Sequence, residues 1–401
     1  MTRQLARPLR IAFVMPQTAP HPIGGAKTIY TYADALAARG HEVVIVHPRE
    51  SLLTSLRYRL DVDPDRESHG GAPADADLAA ERKLSESGAD PHPWYQSRPD
   101  VRNLVVPSLA EEHVGGPFDV TVVNNRLAVP LAQSYSRRMG RKLYFLQDYE
   151  SYMLGDSADR EEARRTLHAD LPTVCTSLAG ARLVQSVAGR TCHLIRNAVD
   201  TVLFRPFIPI GGDERTLIGF PARAEGTKRT YDAVRAAESA RPHLPPHVRF
   251  WCFGYERIPG LPVWVTHHVA PDDSRLAELY NHSRLFLVPS EHEGFGRPGA
   301  EAMACGAALI SSRNGGVETY AVDGENAILC DPREPEQMAA AIRRLMSDEE
   351  LRRRVAQSGA ESIARWSVGD AVLQFERVLT AEAAEQERSS PSRREPTPLT
   401  D

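Results

Sequence analysis

A chain of 401 residues, at roughly 100–200 residues per domain, divides into two or three domains, each large enough for its own core. With 25% charged and 42% hydrophobic residues it has the balance of a globular chain, and a formal net charge of -5 argues against general nucleic-acid binding, which needs a basic face. Five scattered cysteines (Cys175, Cys192, Cys252, Cys305, Cys330) form no C-x-x-C pair, which fits buried thiols in a reducing compartment rather than a disulfide frame or a zinc site.

The basic start, Met1 to Arg10, leads into an apolar run from Ile11 to Pro16 that is far too short for a signal peptide or a membrane span, so the chain reads as cytoplasmic. Leu9 to Pro16 predicts a strand. A Pro- and Gly-rich loop ending in Ile23-Gly24-Gly25 follows, then a helix over Thr28 to Arg39 closed by Gly40, then a strand at His41 to Val46. Strand, helix and strand in that order make a βαβ unit and therefore a parallel sheet. Gly24 and Gly25 at the mouth of the helix let a phosphate or sugar approach backbone N–H groups, although a tight turn explains them equally well.

Residues 51–100 are rich in Asp, Pro, Gly and Ser, which predicts a surface excursion. Its Asp61-Val62-Asp63 and Asp75-Ala76-Asp77 follow no hydrophobic strand, so solvated acidic loops are expected and no catalytic metal. Leu52 to Leu60 reads as a short amphipathic core helix, with peripheral contact to a membrane carrying a lipid-linked acceptor as the alternative. Val101 to Val106, Asp119 to Val123 and Lys142 to Leu146 are further parallel strands. Ligands bind beyond the carboxyl ends of such strands, so Asn125, Gln147, Asp148 and Tyr149 are candidate site residues. Asp148 is otherwise a turn or N-cap residue.

Val174 to Thr176 enters a helix capped by Ser177, and Pro206 to Gly212 reads as a linker. Leu217 to Pro221 restarts the pattern. Arg223 and Lys228 beyond it supply a fork and a point charge suited to a diphosphate, where an ordinary solvated basic loop is the alternative. Arg249 to Gly254 is a strand with Phe253 and Gly254 at its tip. Val263 to His268 is another, and its two histidines lack a partner at metal-ligand spacing. Asp273 to His282 predicts a helix.

Arg284 to Val288 is a buried strand, and Ala300 to Ala304 is a helix that stops at Gly306. Between them lies Pro289-Ser290-Glu291-His292-Glu293-Gly294-Phe295-Gly296-Arg297-Pro298-Gly299. Glu293 in this loop and Glu301 in the helix aim at one cleft, and two carboxylates with the N–H groups of Gly294, Phe295 and Gly296 suit a polyhydroxylated ligand. Ala308 to Ser311 and Asn326 to Cys330 are strands around Asn314-Gly315-Gly316. Pro335 to Met346 and Asp348 to Arg365 are amphipathic helices. The segment from Trp366 to 384 returns to the first domain, and a disordered tail is expected from 385 to 401.

The Ser-x-x-Glu-Gly-Phe-Gly stretch with Glu301 eight positions after Glu293, the Gly24-Gly25 loop, Arg196-Asn197-Ala198-Val199-Asp200 and the Lys228 segment together resemble the retaining glycosyltransferases of family 4. The resemblance spans nearly the whole chain outside the excursion and the tail. It implies an α/β protein of the GT-B fold, two facing Rossmann-like βαβ domains with a cleft between them. Residues 1–200 would face the acceptor and 201–365 would bind the donor. It implies a metal-independent, retaining transfer of a sugar from a nucleotide-diphosphate sugar, as co-substrate and without a cofactor, to a glycan, lipid-linked or small-molecule hydroxyl.

By the same resemblance Lys228 and Arg223 would hold the diphosphate and Glu301 the ribose. Glu293 with the Gly294–Gly296 amides would hold the sugar, while the Phe253–Gly254 tip would meet the base. Gln147 stands where many members carry a histidine, and Gln147-Asp148-Tyr149-Glu150 resembles a rhamnosyltransferase branch. A nucleotide-sugar epimerase of the same architecture and a catalytically silent partner subunit are the competing readings. A nicotinamide dehydrogenase is disfavoured by the lack of a G-x-G-x-x-G turn.

Overall fold

The computed structural model describes residues 7–49, 52, 91–147 and 157–389. The first domain contains β1 (Arg10–Val14), α1 (Gly24–Ala37), β2 (Glu42–Pro48), β3 (Arg102–Val106), α2 (Glu111–Val114), β4 (Val120–Val123), α3 (Val129–Ser134), β5 (Arg141–Leu146), α4 (Ser157–Leu167), β6 (Thr173–Cys175), α5 (Leu178–Ala188) and β7 (His193–Leu194). The second contains β8 (Leu217–Pro221), α6 (Thr230–Ala240), β9 (Arg249–Gly254), β10 (Val265–Val269), α7 (Asp273–Asn281), β11 (Ser283–Val288), α8 (Arg297–Ala304), β12 (Ala308–Ser312), β13 (Ile328–Cys330), α9 (Pro335–Ser347) and α10 (Glu349–Ile363). The closing helix is α11 (Val368–Arg388).

Each domain is built on one sheet, ordered β3-β2-β1-β4-β5-β6-β7 in the first and β10-β9-β8-β11-β12-β13 in the second. Every pairing is parallel. The strands read as continuous apolar runs because both faces are covered: Ile11 and Phe13 enter one core while Ala12 and Val14 enter the other. Strand order reverses between β1 and β4 and again between β8 and β11. Those reversals open a crevice at the carboxyl ends of the strands, the place where such sheets bind ligands.

Several expectations shift by a turn. α1 begins at Gly24 rather than Thr28, so the glycine pair is its first turn. Within the expected excursion, residues 91–95 turn back onto the first domain, while Pro93, Gln96, Arg98, Pro99 and Asp100 are exposed. His92 is buried, Trp94 Nε1 donates to the Ala19 carbonyl at 2.6 Å, and Tyr95 Oη donates to Asp34 at 3.0 Å, so this aromatic stretch packs on α1. The rest of the excursion, including Leu53 to Leu60 and both Asp-x-Asp triplets, lies outside the described residues, as does the tail from 390. α11 continues past 385 to Arg388, because Glu387 is held by Arg7 and Ser389 closes the last turn. Val263 is fully exposed, and the strand expected there starts at Val265.

The chain crosses between domains twice, side by side: Val199 N–H donates to the Trp366 carbonyl at 3.1 Å, and Val199 and Ser367 form a parallel bridge. After the second crossing α11 lies on the first sheet, with Phe375 against Phe13, Tyr32 and Phe145. The linker after Asp200 is tied to the second domain by the buried Arg215. Its guanidinium donates to the carbonyls of Ile208, Pro209, Ser283 and Cys305. Burial lowers its pKa to about 10, still high enough to keep it charged in neutral solution. Among the described residues no helix is long and apolar enough to cross a membrane.

Candidate active site

Two loops of the second domain meet at the β8/β11 reversal. The first, residues 222–229, is closed by Thr230: the Arg223 N–H donates to its hydroxyl at 2.8 Å, and the hydroxyl donates back to the Arg223 carbonyl at 2.7 Å. The second, residues 289–296, is stitched to the first by Glu291 N–H on the Thr227 carbonyl at 2.7 Å. Lys228 completes the junction. Its Nζ lies 3.0 Å from Glu293 Oε2 and donates to the His292 carbonyl at 3.3 Å. The cation and the carboxylate that the sequence assigns to separate parts of a ligand thus form one half-buried ion pair.

The other basic groups of the loop differ in availability. Arg229 has a left-handed backbone, φ 50°, and its guanidinium grips Asp232 at 2.8 Å, so it belongs to the scaffold. Arg223 lies over the Tyr255 ring at 4.9 Å and the Phe253 ring at 5.9 Å, a stacked seat that suits guanidinium. Phe253 itself is turned into the core against Trp251 and Tyr280, so its side chain does not face the cleft. Tyr255, two positions on, is half-buried and stacks on His21 of the first domain, ring centroids 5.7 Å apart, so it does. Gly254 is required by contact: a Cβ there would lie 2.3 Å from the Ala222 carbonyl oxygen.

The Glu293 loop rests on the glycine loop after β12. Glu293 N–H donates to the Asn314 carbonyl at 3.1 Å, and Tyr320 Oη donates to the Gly296 carbonyl at 2.7 Å. Phe295 is buried between Tyr320 and Trp366, so only its backbone can serve a ligand. Gly294 stays half-buried at the loop's apex. Gly296, φ 80°, starts α8 with no side-chain cap, which leaves the positive end of that helix facing the loop. Glu301 follows in α8, 4% exposed, 3.2 Å from Arg297 Nη2. Burial, then the nearby Glu301 charge, drives the Tyr280 phenol well above its usual range. Burial followed by Glu293 and Glu301 does the same to Tyr320, so both rings are neutral around the carboxylates.

The first domain contributes the start of α1. Gly25 carries its carbonyl against Gln147, whose Nε2 donates to it at 3.1 Å. A Cβ on Gly24 would stand 3.5 Å from Arg297 Cδ of the other domain, which places the glycines on the cleft. Asn125, at the β4 tip, also caps the turn that follows it: its Oδ1 accepts from Leu127 N–H at 2.9 Å. Asp148 and Tyr149 lie outside the described residues. Three residues that sequence reasoning left without a role also meet here: Thr28, Tyr255 and Arg297. Only Arg297 carried a signal, its place inside the Gly-rich motif. Among the described residues no three His, Cys, Asp or Glu side chains converge on a metal-sized site.

Comparison with known proteins places this geometry in context. Residues 212–362, the second domain, match the family model described as glycosyl transferases group 1. A D-inositol 3-phosphate glycosyltransferase of Xylanimonas cellulosilytica is 29% identical over 202 residues, 43% of this chain and 47% of that protein, so the match spans about half the length of that relative. Among solved structures, sucrose-phosphate synthase from Thermosynechococcus elongatus superposes with a TM-score of 0.71 at 17% identity, covering 94% of this chain and 100% of that one. Anabaena Alr3699/HepE in complex with UDP-glucose gives 0.68 at 17% identity, covering 93% and 100%. The architecture is the GT-B fold, and the second domain is the part that matches the group 1 glycosyl transferase model.

Proposed function

We propose that this chain is a retaining, metal-independent glycosyltransferase of family 4 that moves a sugar from a nucleotide-diphosphate sugar to a hydroxyl acceptor. The observation that carries this reading is the Lys228–Glu293 pair at the β8/β11 reversal, beside Arg223 and the uncapped start of α8. A diphosphate entering there meets one compact cation, one guanidinium and a helix N-terminus, an arrangement that offsets charge developing on a leaving group. Lys228 exchanges Glu293 for phosphate oxygens, and Glu293 is then free to accept from sugar hydroxyls. Glu301 accepts from the ribose. HepE, of the same fold, forms a complex with UDP-glucose, which makes a uridine donor the first to test and a thymidine-diphosphate rhamnose donor the second.

The bond from the sugar's anomeric carbon to the diphosphate oxygen breaks, and a bond to the acceptor oxygen forms on the same face. The acceptor proton passes to the departing diphosphate. Unlike the glycosidase route, this one needs no second carboxylate flanking the bond. Closure of the two domains excludes water and so limits hydrolysis of the donor. The acceptor docks on the first domain, around the β4 and β5 tips.

A thermal-shift screen against UDP-, GDP- and dTDP-sugars, followed by titration, tests the reading. A donor at about 100 times its dissociation constant raises stability by about 2.7 kcal/mol. Glu301→Ala and Lys228→Ala each weaken donor binding or turnover at least about tenfold, about 1.4 kcal/mol. Near-normal kinetics in both variants would remove the site. Donor binding without turnover on any hydroxyl acceptor would instead identify a silent partner subunit.

A further inference from the structure

Arg297 is a site residue whose guanidinium bonds both domains. Its Nη2 donates to Glu301 Oε1 at 3.2 Å, one turn along α8, while Nη1 donates to Thr28 Oγ1 at 3.4 Å on α1 of the facing domain. The guanidinium is 12% exposed and the Glu301 side chain 5%, so the pair is desolvated and its geometry matters. Thr28 is itself fixed. Its hydroxyl donates to the Gly24 carbonyl at 3.1 Å and accepts from Asn197 Nδ2 at 3.2 Å. One helical turn further on, Tyr32 presents a buried hydroxyl that lacks a hydrogen-bond partner among the described residues, close enough for the Arg297 charge to act on it. Thr28 and Tyr32 thus stand one turn apart on α1 with their hydroxyls toward the Arg297 guanidinium, while the Tyr32 ring packs in the first domain's core against Phe145 and Phe375.

From this we propose that Arg297 is a positioning residue of the donor site: it orients Glu301 for the ribose hydroxyls and makes that orientation depend on the first domain through Thr28. The inference rests on the glycosyltransferase reading above. Arg297 holds one oxygen of Glu301, which leaves the other for a ligand hydroxyl, and its remaining arm reaches Thr28 only while the cleft is closed. A nucleotide that engages Glu301 is thereby bound more tightly in the closed protein, and closure favours the bound nucleotide in return, as linkage requires.

The test is a calorimetric titration of the full chain with UDP, GDP and dTDP, with melting temperatures measured alongside. Thr28→Val keeps the shape of α1 and removes the hydroxyl, at a position that no nucleotide held by Glu301 needs to touch. It weakens binding of the preferred nucleotide about threefold or more, and Arg297→Met weakens it about tenfold or more. The double variant binds no more weakly than Arg297→Met alone, since both changes break one link. Arg297→Lys, which keeps the charge without the fork, recovers part of the loss. Unchanged affinity in Thr28→Val, full additivity in the double variant, or a lowered melting temperature with intact affinity would each overturn the proposal. If Arg297→Met binds normally while Glu301→Ala does not, the donor site stands and the link fails. If Glu301→Ala also binds normally, the donor reading itself fails.

Discussion

Gly316 sets the height of the Glu293 loop. Its φ of -72° is available to any residue, so conformation does not demand glycine here. Space does: a Cβ would lie 2.5 Å from the Glu293 carbonyl oxygen and 2.8 Å from the Phe295 nitrogen, both backbone atoms with nowhere to retreat. Gly316→Ala therefore lifts the loop that carries Glu293 without altering the chemistry of any candidate ligand-contacting side chain. Overpacking of this kind costs about 1–3 kcal/mol. The expected outcome is donor affinity lowered at least about fivefold, on the scale at which small displacements from remote changes reduce function. Titration with the preferred nucleotide checks it, and an affinity equal to that of the unmodified protein would mean that loop height is not critical.

At the scale of elements, α11 is what binds the end of the chain to the first domain, and its attachment is electrostatic as well as apolar. Glu376, 3% exposed at its side chain, accepts from Arg39 Nη2 at 2.6 Å and meets His41 Nε2 at 2.9 Å. The Leu9 N–H donates to the other ring nitrogen of His41, so Nε2 carries the proton toward Glu376. Burial works to raise the Glu376 pKa and is outweighed by the hydrogen bonds from Arg39 and His41 and by the Arg39 charge, leaving it below the ordinary value of 4.5. The unfolded chain then binds more protons than the folded one in this range. The stabilisation is complete above the ordinary value and is lost as pH falls through the folded one. Glu376→Gln is expected to melt earlier at pH 7, with the gap from the unmodified protein closing below about pH 4.5. Parallel melting curves from pH 7 to pH 3 would sink this account.

For the whole molecule, the paired crossings at Val199 and Trp366 act as the pivot, and the contacts across the cleft set how far it is closed. Lys27 of α1 reaches Asp273 in the first turn of α7 at 2.5 Å, and Leu178 N–H meets Thr319 Oγ1 at 3.3 Å. Asp273 also benefits from the helix N-terminus it sits on. A partly exposed pair of this kind contributes about 1 kcal/mol or less and is screened by salt. Asp273→Asn should thus enlarge the radius of gyration of the ligand-free protein in solution scattering, and high salt should move the unmodified protein in the same direction. Scattering curves that superpose under both changes would show that other contacts alone keep the cleft closed.

The apolar runs of β1, β4, β8 and β11, separated by helical patterns, point to two parallel sheets by themselves, because a helical crossover between buried strands returns each strand in the same direction. The motif from Ser290 to Glu301 likewise announces a strand, a glycine turn and a helix, since Gly296 alone accepts the left-handed step at the helix start. The sequence could not tell which side chains turn inward. Phe253 and Phe295 are apolar residues at promising tips, and only the packing of Trp251, Tyr320 and Trp366 decided that both belong to the core. Nor could it pair charges across distance. Lys228 with Glu293, Arg297 with Thr28 and Lys27 with Asp273 are 65, 269 and 246 positions apart. Local preference fixes an element within a few residues of itself, whereas the partner of a charge depends on where the domains bring the other end of the chain.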